Sequence, residues 1–317
     1  MATTAALLAN KGHKVSGSDK NVFPPMSDFL AAEGIPILKG FREDRITDEL
    51  DLVVVGNVVS RGNPEIEAVL ERRTRCCSLP EIVRDEFLWE KRPIVLAGTH
   101  GKTTTTAITG WLLVHAGLDP TVLVGGIVKD FGVNGSSYYV GEGRDFVIEG
   151  DEYDTAFFDK SPKFLKYIPD VVVINNIEFD HADIYQNLDD VQLAYKRLVN
   201  LVPKNGLLLL GADNDHTLAL RDVSVSPVST FGFSNGADWQ AYNITVINGR
   251  TRFSVRQRGV EFGQFELQLL GAHNVSNALG AIAVGAHRGL NSGQLADGLK
   301  AFQGIKRRLE VLGMVDG

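Results

Sequence analysis

Residues 98–104 read Gly98-Thr99-His100-Gly101-Lys102-Thr103-Thr104 and directly follow the apolar run Pro93–Ala97. Such a run predicts a strand, a glycine-rich turn and a helix opening at Lys102. Glycines let backbone N–H groups approach phosphate oxygens, and a helix N-terminus adds the positive end of its dipole. Lys102 carries a point charge suited to the β- and γ-phosphates, and Thr103 offers a hydroxyl to a divalent cation. Counted from Ala97 the run fits A-x-x-x-G-K-T, shorter than the usual G-x-x-x-x-G-K-[ST]. The chemistry indicated is the binding of a nucleoside triphosphate with Mg²⁺.

Two acidic segments accompany this loop. Phe146-Val147-Ile148 ends in Glu149, followed by Gly150-Asp151-Glu152-Tyr153-Asp154. A strand beside a phosphate-loop strand commonly delivers a carboxylate to Mg²⁺, and Glu149 is the candidate. Asp151, Glu152 and Asp154 read as supporting or substrate-facing groups, or as a solvated turn. Val171–Ile174 ends in Asn175-Asn176-Ile177-Glu178-Phe179-Asp180-His181-Ala182-Asp183. Asp180, His181 and Asp183 thus fall at the carboxyl end of a strand, where open α/β sheets place ligands. His181 with these carboxylates reads as a metal site, although imidazole is a less usual Mg²⁺ ligand than oxygen. Asn274 and Asn277 share a helix face, and amide groups pair with purine edges. Capping of the helix by Asn274 is the other reading. Arg307-Arg308 is a basic pair that either stabilises phosphoryl charge or faces solvent.

The elements needed to position these groups are visible in the pattern. Val53–Val55, Ile94–Ala97, Val122–Val124, Phe146–Ile148, Val171–Ile174 and Leu207–Leu210 are short apolar runs. Helical patterns such as Thr103–Ala116 and Asp189–Val202 lie between several of them. Continuous apolar strands separated by helices predict an α/β fold with a parallel sheet covered on both faces. Alternation from Gln240 to Leu270, with a turn at Asn248-Gly249, predicts an antiparallel segment. A helix is expected over Asn274–His287. The helix Pro80–Leu88 runs into the charged stretch Glu90-Lys91-Arg92, which places a domain boundary near residue 90. His13–Asp19 resembles the second strand of a dinucleotide-type fold, yet Ala-rich helical sequence follows Met1 at once.

Composition bounds the rest. The chain has 317 residues, a net charge of −7 and two cysteines, Cys76 and Cys77. Nothing points to nucleic acid or an anionic membrane surface. No apolar run is long enough to span a bilayer, and the first residues do not read as a signal peptide. Adjacent cysteines rarely bridge each other, so both are expected reduced and part-buried on a strand, in keeping with a cytoplasmic location. Oligomeric state is not legible.

Taken together and in order, the G-T-x-G-K-T-T loop, E-x-D-E, N-x-x-x-D-H-x-D, H-N-x-x-N and the R-R pair resemble the Mur ligase family. The resemblance is strongest to the member joining UDP-N-acetylmuramate to the tripeptide L-alanyl-γ-D-glutamyl-meso-diaminopimelate. It is carried by Ser16–Asp19, Asn21–Ser27, Gly56–Glu65, Asp151–Lys160 and Asn176–Asp183. It implies an ATP-dependent bacterial amide ligase of cell-wall recycling. Gly98, Thr99, His100, Gly101, Lys102, Thr103, Thr104, Asn274 and Asn277 would then bind ATP. Thr103, Glu149 and His181 would hold Mg²⁺. Lys102, Glu149, His181 and Arg308 would be catalytic. Ser18, Asp19, Ser60, Arg61 and Asn63 would contact the UDP-sugar. The implied domains are a Rossmann-like UDP-sugar domain over 1–90 and a central ATP-binding domain over 91–313. The family's glycine-rich UDP loop would precede Met1, and its third domain would follow residue 317. Three alternatives remain: the related ligase that adds free L-alanine, a phosphate-loop kinase or NTPase, and a fragment that binds without ligating.

Overall fold

The computed structural model describes residues 1–180 and 184–306. It separates into two compact units, Met1–Trp89 with Glu152–Tyr167, and Glu90–Asp151 with the chain from Ile168 onward.

The first unit begins with α1 (Ala2–Asn10), β1 (Gly17–Asp19), α2 (Met26–Ala32) and β2 (Ile37–Lys39). It continues through β3 (Val53–Val55), α3 (Pro64–Glu71), β4 (Cys76–Ser78) and α4 (Leu79–Val83). β1 pairs in parallel with β2, and β3 with β4. Among the described residues no ladder joins the two pairs. The expected helix over 80–88 is split into α4 and a π-helical turn, Arg84–Leu88. Cys76 is exposed rather than part-buried, and both cysteines are free. The hairpin β9 (Asp154–Ala156) and β10 (Asp159–Pro162) completes this unit.

The second unit is built on one sheet of ten strands. Its first elements are β5 (Arg92–Ala97), α5 (Lys102–His115), β6 (Thr121–Val128), β7 (Ser136–Tyr139) and β8 (Asp145–Glu149). Then come β11 (Val171–Ile174), α6 (Leu188–Val199), β12 (Leu207–Gly211), α7 (Asp215–Leu218) and β13 (Val228–Gly232). The last are β14 (Trp239–Ile247), β15 (Arg250–Gln257), β16 (Val260–Leu267), α8 (Ala272–His287) and α9 (Ser292–Ala301). The strand order is β16-β15-β14-β13-β12-β11-β5-β8-β6-β7. From β14 to β6 the neighbours run parallel, while β15, β16 and β7 add antiparallel edges.

The parallel strands are apolar at successive positions because both faces are buried. Ile94, Leu96, Val171, Val173 and Leu209 join a cluster with Ile108 and Leu112 of α5 and Leu279 and Ile282 of α8. Val95, Val172 and Leu208, which point the other way, are equally inaccessible. α5 is helical despite Thr103-Thr104-Thr105-Thr106, a β-branched run of low helix propensity. Burial decides the outcome, and the hydroxyls of Thr105 and Thr106 donate back to the carbonyls of Gly101 and Lys102.

Charges gather at the end of the sheet where the parallel strands begin. Arg288, just after α8, donates from Nη2 to Asp170 Oδ2 at 2.6 Å. Its Nε lies 2.9 Å from Asp145 Oδ1, an ion pair too bent to count as a hydrogen bond. Arg92 meets the other oxygen of Asp145 at 3.0 Å. Arg288 and Asp145 are only 6% and 3% exposed, so removing Arg288 leaves the buried Asp145 with the half-exposed Arg92 as its one cation among the described residues and takes the ion pair from Asp170. Arg288→Ala is therefore expected to lower unfolding stability by about 3 kcal/mol or more, read from urea denaturation.

Candidate active site

β5 ends at Ala97, and the chain turns through two glycines before α5. Gly98 has φ 128° and Gly101 has φ 83°, both in the region that favours glycine. Space is equally restrictive. A Cβ on Gly98 would lie 3.0 Å from the Asn175 amide nitrogen, and one on Gly101 would lie 2.2 Å from Asn277 Oδ1. The loop is pinned to the end of β11. Thr99 N–H donates to the Asn176 carbonyl at 2.9 Å, and His100 N–H to Asn176 Oδ1 at 2.8 Å. Thr99 and Glu178 exchange a second pair of bonds. Gly101 is the N-cap of α5, and no side chain among the described residues caps it. First-turn N–H groups therefore point into the loop, an arrangement suited to anions. Lys102 curls over the loop and donates to the Gly98 and Thr99 carbonyls at 2.9 and 3.0 Å.

Glu149 ends β8, the strand beside β5, in register with Leu96. Thr103 Oγ1 donates to Glu149 Oε1 at 2.8 Å, and the Gly125 N–H donates to Oε2 at 2.9 Å. A threonine hydroxyl oxygen and a carboxylate oxygen thus sit together at the first turn of α5. That is an all-oxygen donor pair of the kind a hard divalent cation takes. Thr103 and Glu149 fit Mg²⁺ on this ground. His181 and Asp183 lie outside the described residues. Among the described residues no three His, Cys, Asp or Glu side chains cluster as a metal site.

Asn274 and Asn277 do lie at the loop, but their amides are engaged within the protein. Asn277 Oδ1 faces the Thr105 hydroxyl at 3.2 Å and Asn175 Nδ2 at 3.4 Å. Its Nδ2 donates to Asn274 Oδ1 at 3.4 Å, and Asn274 Nδ2 donates to the Leu270 carbonyl at 2.7 Å. Asn175 Nδ2 also donates to Thr105 Oγ1 at 2.8 Å. Asn274 does not cap α8, since Gly271 holds that position. A cavity of about 260 Å³ opens here, lined by Gly101, Thr104, Leu269, His273, Asn274 and Asn277 among others. It is large enough for a purine ring against the phosphate loop. Ile305 also lines it, and the stretch 304–306 bonds to the far end of β6. Arg307 and Arg308 lie outside the described residues.

In the first unit the candidates divide. Ser18 and Asp19 end β1, and Ser18 Oγ donates to Glu65 at the start of α3. Asp19 borders a cavity of about 470 Å³ with Asn21, Ser27 and Lys39. Ser60, Arg61 and Asn63 lie on the loop after β3. Asn63 Oδ1 caps α3, accepting from the N–H groups of Glu65 and Ile66. Arg61 forms a two-pronged pair with Glu67 at 3.0 and 2.9 Å. Together with the Gly62 N–H, that pair holds the Glu67 carboxyl at about 2.

Sequence reasoning does not single out Thr105, Gly125 or Asn175, and Asn176 enters it only as the first residue of the N-x-x-x-D-H-x-D motif. The doublet Gly125-Gly126 inside an apolar strand was the one available signal, since strand glycines mark close approach.

Residues 96–285 match the family model of the Mur ligase middle domain, and residues 1–85 that of the Mur ligase family, catalytic domain. The chain belongs to the Mur ligase family. A UDP-N-acetylmuramate–L-alanyl-γ-D-glutamyl-meso-2,6-diaminoheptandioate ligase of Haemophilus influenzae is 39% identical, over the whole chain and 68% of that protein. The Escherichia coli protein of that name is 38% identical over the same shares. A UDP-N-acetylmuramate–L-alanine ligase of Desulforapulum autotrophicum is 36% identical over 99% of the chain and 66% of that protein. The crystal structure of UDP-N-acetylmuramate:L-alanyl-γ-D-glutamyl-meso-diaminopimelate ligase from Neisseria meningitidis superposes with TM-score 0.89. It is 36% identical, over 97% of this chain and 96% of that one. Mur ligases are ATP-dependent amide ligases, and the mixed, mostly parallel sheet is the family's architecture. No helix among the described residues is long and apolar enough to cross a membrane.

Two outcomes test this geometry. Gly101→Ala, strained by its φ and driven into Asn277, should weaken binding of a fluorescent ATP analogue by more than about tenfold. The second concerns Glu67, whose ordinary value is 4.5. Because its folded value is depressed, the pair's contribution is present above the ordinary value and lost as pH falls through about 2. Arg61→Ala should return the carboxyl toward that ordinary value in a carbon-detected NMR titration.

Proposed function

We propose that the chain serves the ATP-dependent joining of UDP-N-acetylmuramate to the tripeptide L-alanyl-γ-D-glutamyl-meso-diaminopimelate, with release of ADP and phosphate, in the cytoplasm of a bacterium. The observation that carries the nucleotide half is Glu149 bonded to Thr103 beside Lys102 and the two constrained glycines. The tripeptide half is supported by two relatives of that name at 38–39% identity, against 34–37% for relatives named for L-alanine. We place the UDP-sugar domain at 1–90 and the ATP-binding domain at 91–313, with the hairpin segment 152–167 inside that second range grouped with the first unit.

The proposed chemistry runs in two steps. A carboxylate oxygen of the muramate attacks the γ-phosphorus, and the bond to the ADP oxygen breaks, giving an acyl phosphate. The peptide's amine then attacks the acyl carbon, its proton passes to solvent, and inorganic phosphate leaves as the amide forms. The loop amides and the N-terminus of α5 hold the phosphates in place and face their negative charge. Lys102 leaves its loop carbonyls to meet the β- and γ-oxygens. Thr103 and Glu149 would hold Mg²⁺, which neutralises charge as the phosphoryl group moves. His181 is proposed as a further cation ligand and Arg308 as a phosphate contact. Asn274 and Asn277 would border the adenine. Ser18, Asp19, Ser60, Arg61 and Asn63 are proposed for the UDP-sugar, with Arg61 having to exchange Glu67 for a diphosphate.

ADP release measured with ATP, Mg²⁺ and UDP-N-acetylmuramate, with tripeptide or L-alanine added, tests this reading. Release that depends on tripeptide and falls at least about a hundredfold in Lys102→Ala and Glu149→Gln is the expected result. Release with L-alanine alone would move the chain to the related ligase. Release indifferent to both acceptors would indicate an NTPase, and nucleotide binding without release would leave a binding role.

A further inference from the structure

Among the described residues Glu149 is held at two places, and one of them involves a side chain. Thr103 Oγ1 takes Oε1, while Oε2 takes the backbone N–H of Gly125 at 2.9 Å. β6 pairs with β8 only as far as Leu123 opposite Ile148. Beyond that ladder the Gly125 N–H turns to the carboxylate instead of a strand carbonyl. Gly125 has no left-handed φ, so conformational freedom does not explain a glycine here. Space does: a Cβ would lie 2.7 Å from Glu149 Oε2 and 3.3 Å from its Cδ. The nearby backbone is therefore close enough to anchor one oxygen, and a methyl group would displace that same oxygen.

We propose that Gly125 is a positioning residue for the divalent cation. Its N–H fixes one oxygen of Glu149 so that the other is presented at the Thr103 hydroxyl, and its missing side chain is what lets the carboxylate sit there. The inference rests on the nucleotide-and-cation reading above. Partners that orient a ligating carboxylate commonly change metal affinity by 10–100-fold when removed. Gly125 touches neither substrate nor nucleotide in this account and acts through Glu149 alone.

Gly125→Ala tests this, because an exposed strand position with ordinary backbone angles accepts alanine. Binding of a fluorescent ATP analogue is titrated with Mg²⁺, and Mn²⁺ binding is followed by electron paramagnetic resonance with a non-hydrolysable analogue present. The half-saturating Mg²⁺ concentration should rise about tenfold, and Mn²⁺ affinity should fall by a similar factor. Nucleotide affinity in excess EDTA and the melting temperature should stay as in the unaltered chain. In a Glu149→Gln background, Gly125→Ala should add less than about twofold, because it acts through that carboxylate. An unchanged Mg²⁺ requirement in Gly125→Ala would overturn the proposal. So would a loss that persists in full without the Glu149 carboxylate, or one that appears equally in EDTA. If the unaltered chain binds the analogue with no Mg²⁺ dependence, the cation reading itself fails and the proposal fails with it. Cation dependence without tripeptide-dependent ligation would instead remove the substrate assignment and leave the role of Gly125 standing.

Discussion

Between Gly101 and the amide of Asn277 there is room for a hydrogen and nothing larger. Much of the second unit can be understood from that approach. The loop has to turn left-handed at Gly98 and Gly101 to lie against the end of β11, and α5 can then start only at Lys102. Asn277 reaches the loop because α8 is buried along nearly its whole length. Small residues, Ala278, Gly280, Ala281 and Ala283, allow that depth. A Cβ at Gly280 would lie 3.3 Å from the Phe231 ring, closer than ordinary contact. The close packing of α8 and the shape of the anion-binding turn are thus one constraint met from two sides.

Polar groups in this interior are linked into chains that span the elements. Leu270, Asn274, Asn277, Asn175 and Thr105 form a continuous run of amide and hydroxyl contacts from the start of α8 to the first turns of α5. Buried amides cost little when both ends are satisfied and much when one is not; among the described residues Asn175 Oδ1 is the end of this run with no hydrogen-bond partner. At the opposite end of the strands, Arg288, Asp145, Asp170 and Arg92 form the ionic counterpart. One end of the sheet carries anchored positive charge among carboxylates. The other presents N–H groups and Lys102 near the oriented carboxylate of Glu149. The proposed chemistry falls at the second end, where Lys102 and Glu149 are held by neutral hydrogen bonds.

Legibility in the sequence followed locality. The turn at 98–104, the strand ending in Glu149 and the succession of apolar runs each depend on a few adjacent residues, and each was readable. Asn274 and Asn277 were readable as a shared helix face. What their amides bond to was not, because it depends on Asn175 and Thr105, far away in the chain. Asn63 carries a capping signal in Asn-Pro-Glu, and the structure shows that cap, so one apparent ligand contact is at least partly local architecture. The role of Gly125 was illegible for a similar reason. A strand glycine signals close approach, but only the fold says that the approaching group is the carboxylate of Glu149. Cys76 was read as part-buried from its strand, whereas β4 leaves it exposed.

The hairpin of β9 and β10 clusters with the first unit although it is encoded in the middle of the second. The backbone therefore passes from one body to the other at three points. Neither body is a contiguous stretch of gene. A polypeptide ending at residue 89 would lack two strands of its own unit, and one starting at residue 90 would carry them as an orphaned loop. Shuffling this nucleotide module onto another partner by simple end-to-end recombination is closed off, and during synthesis the first body stays unfinished until the ribosome is well into the second.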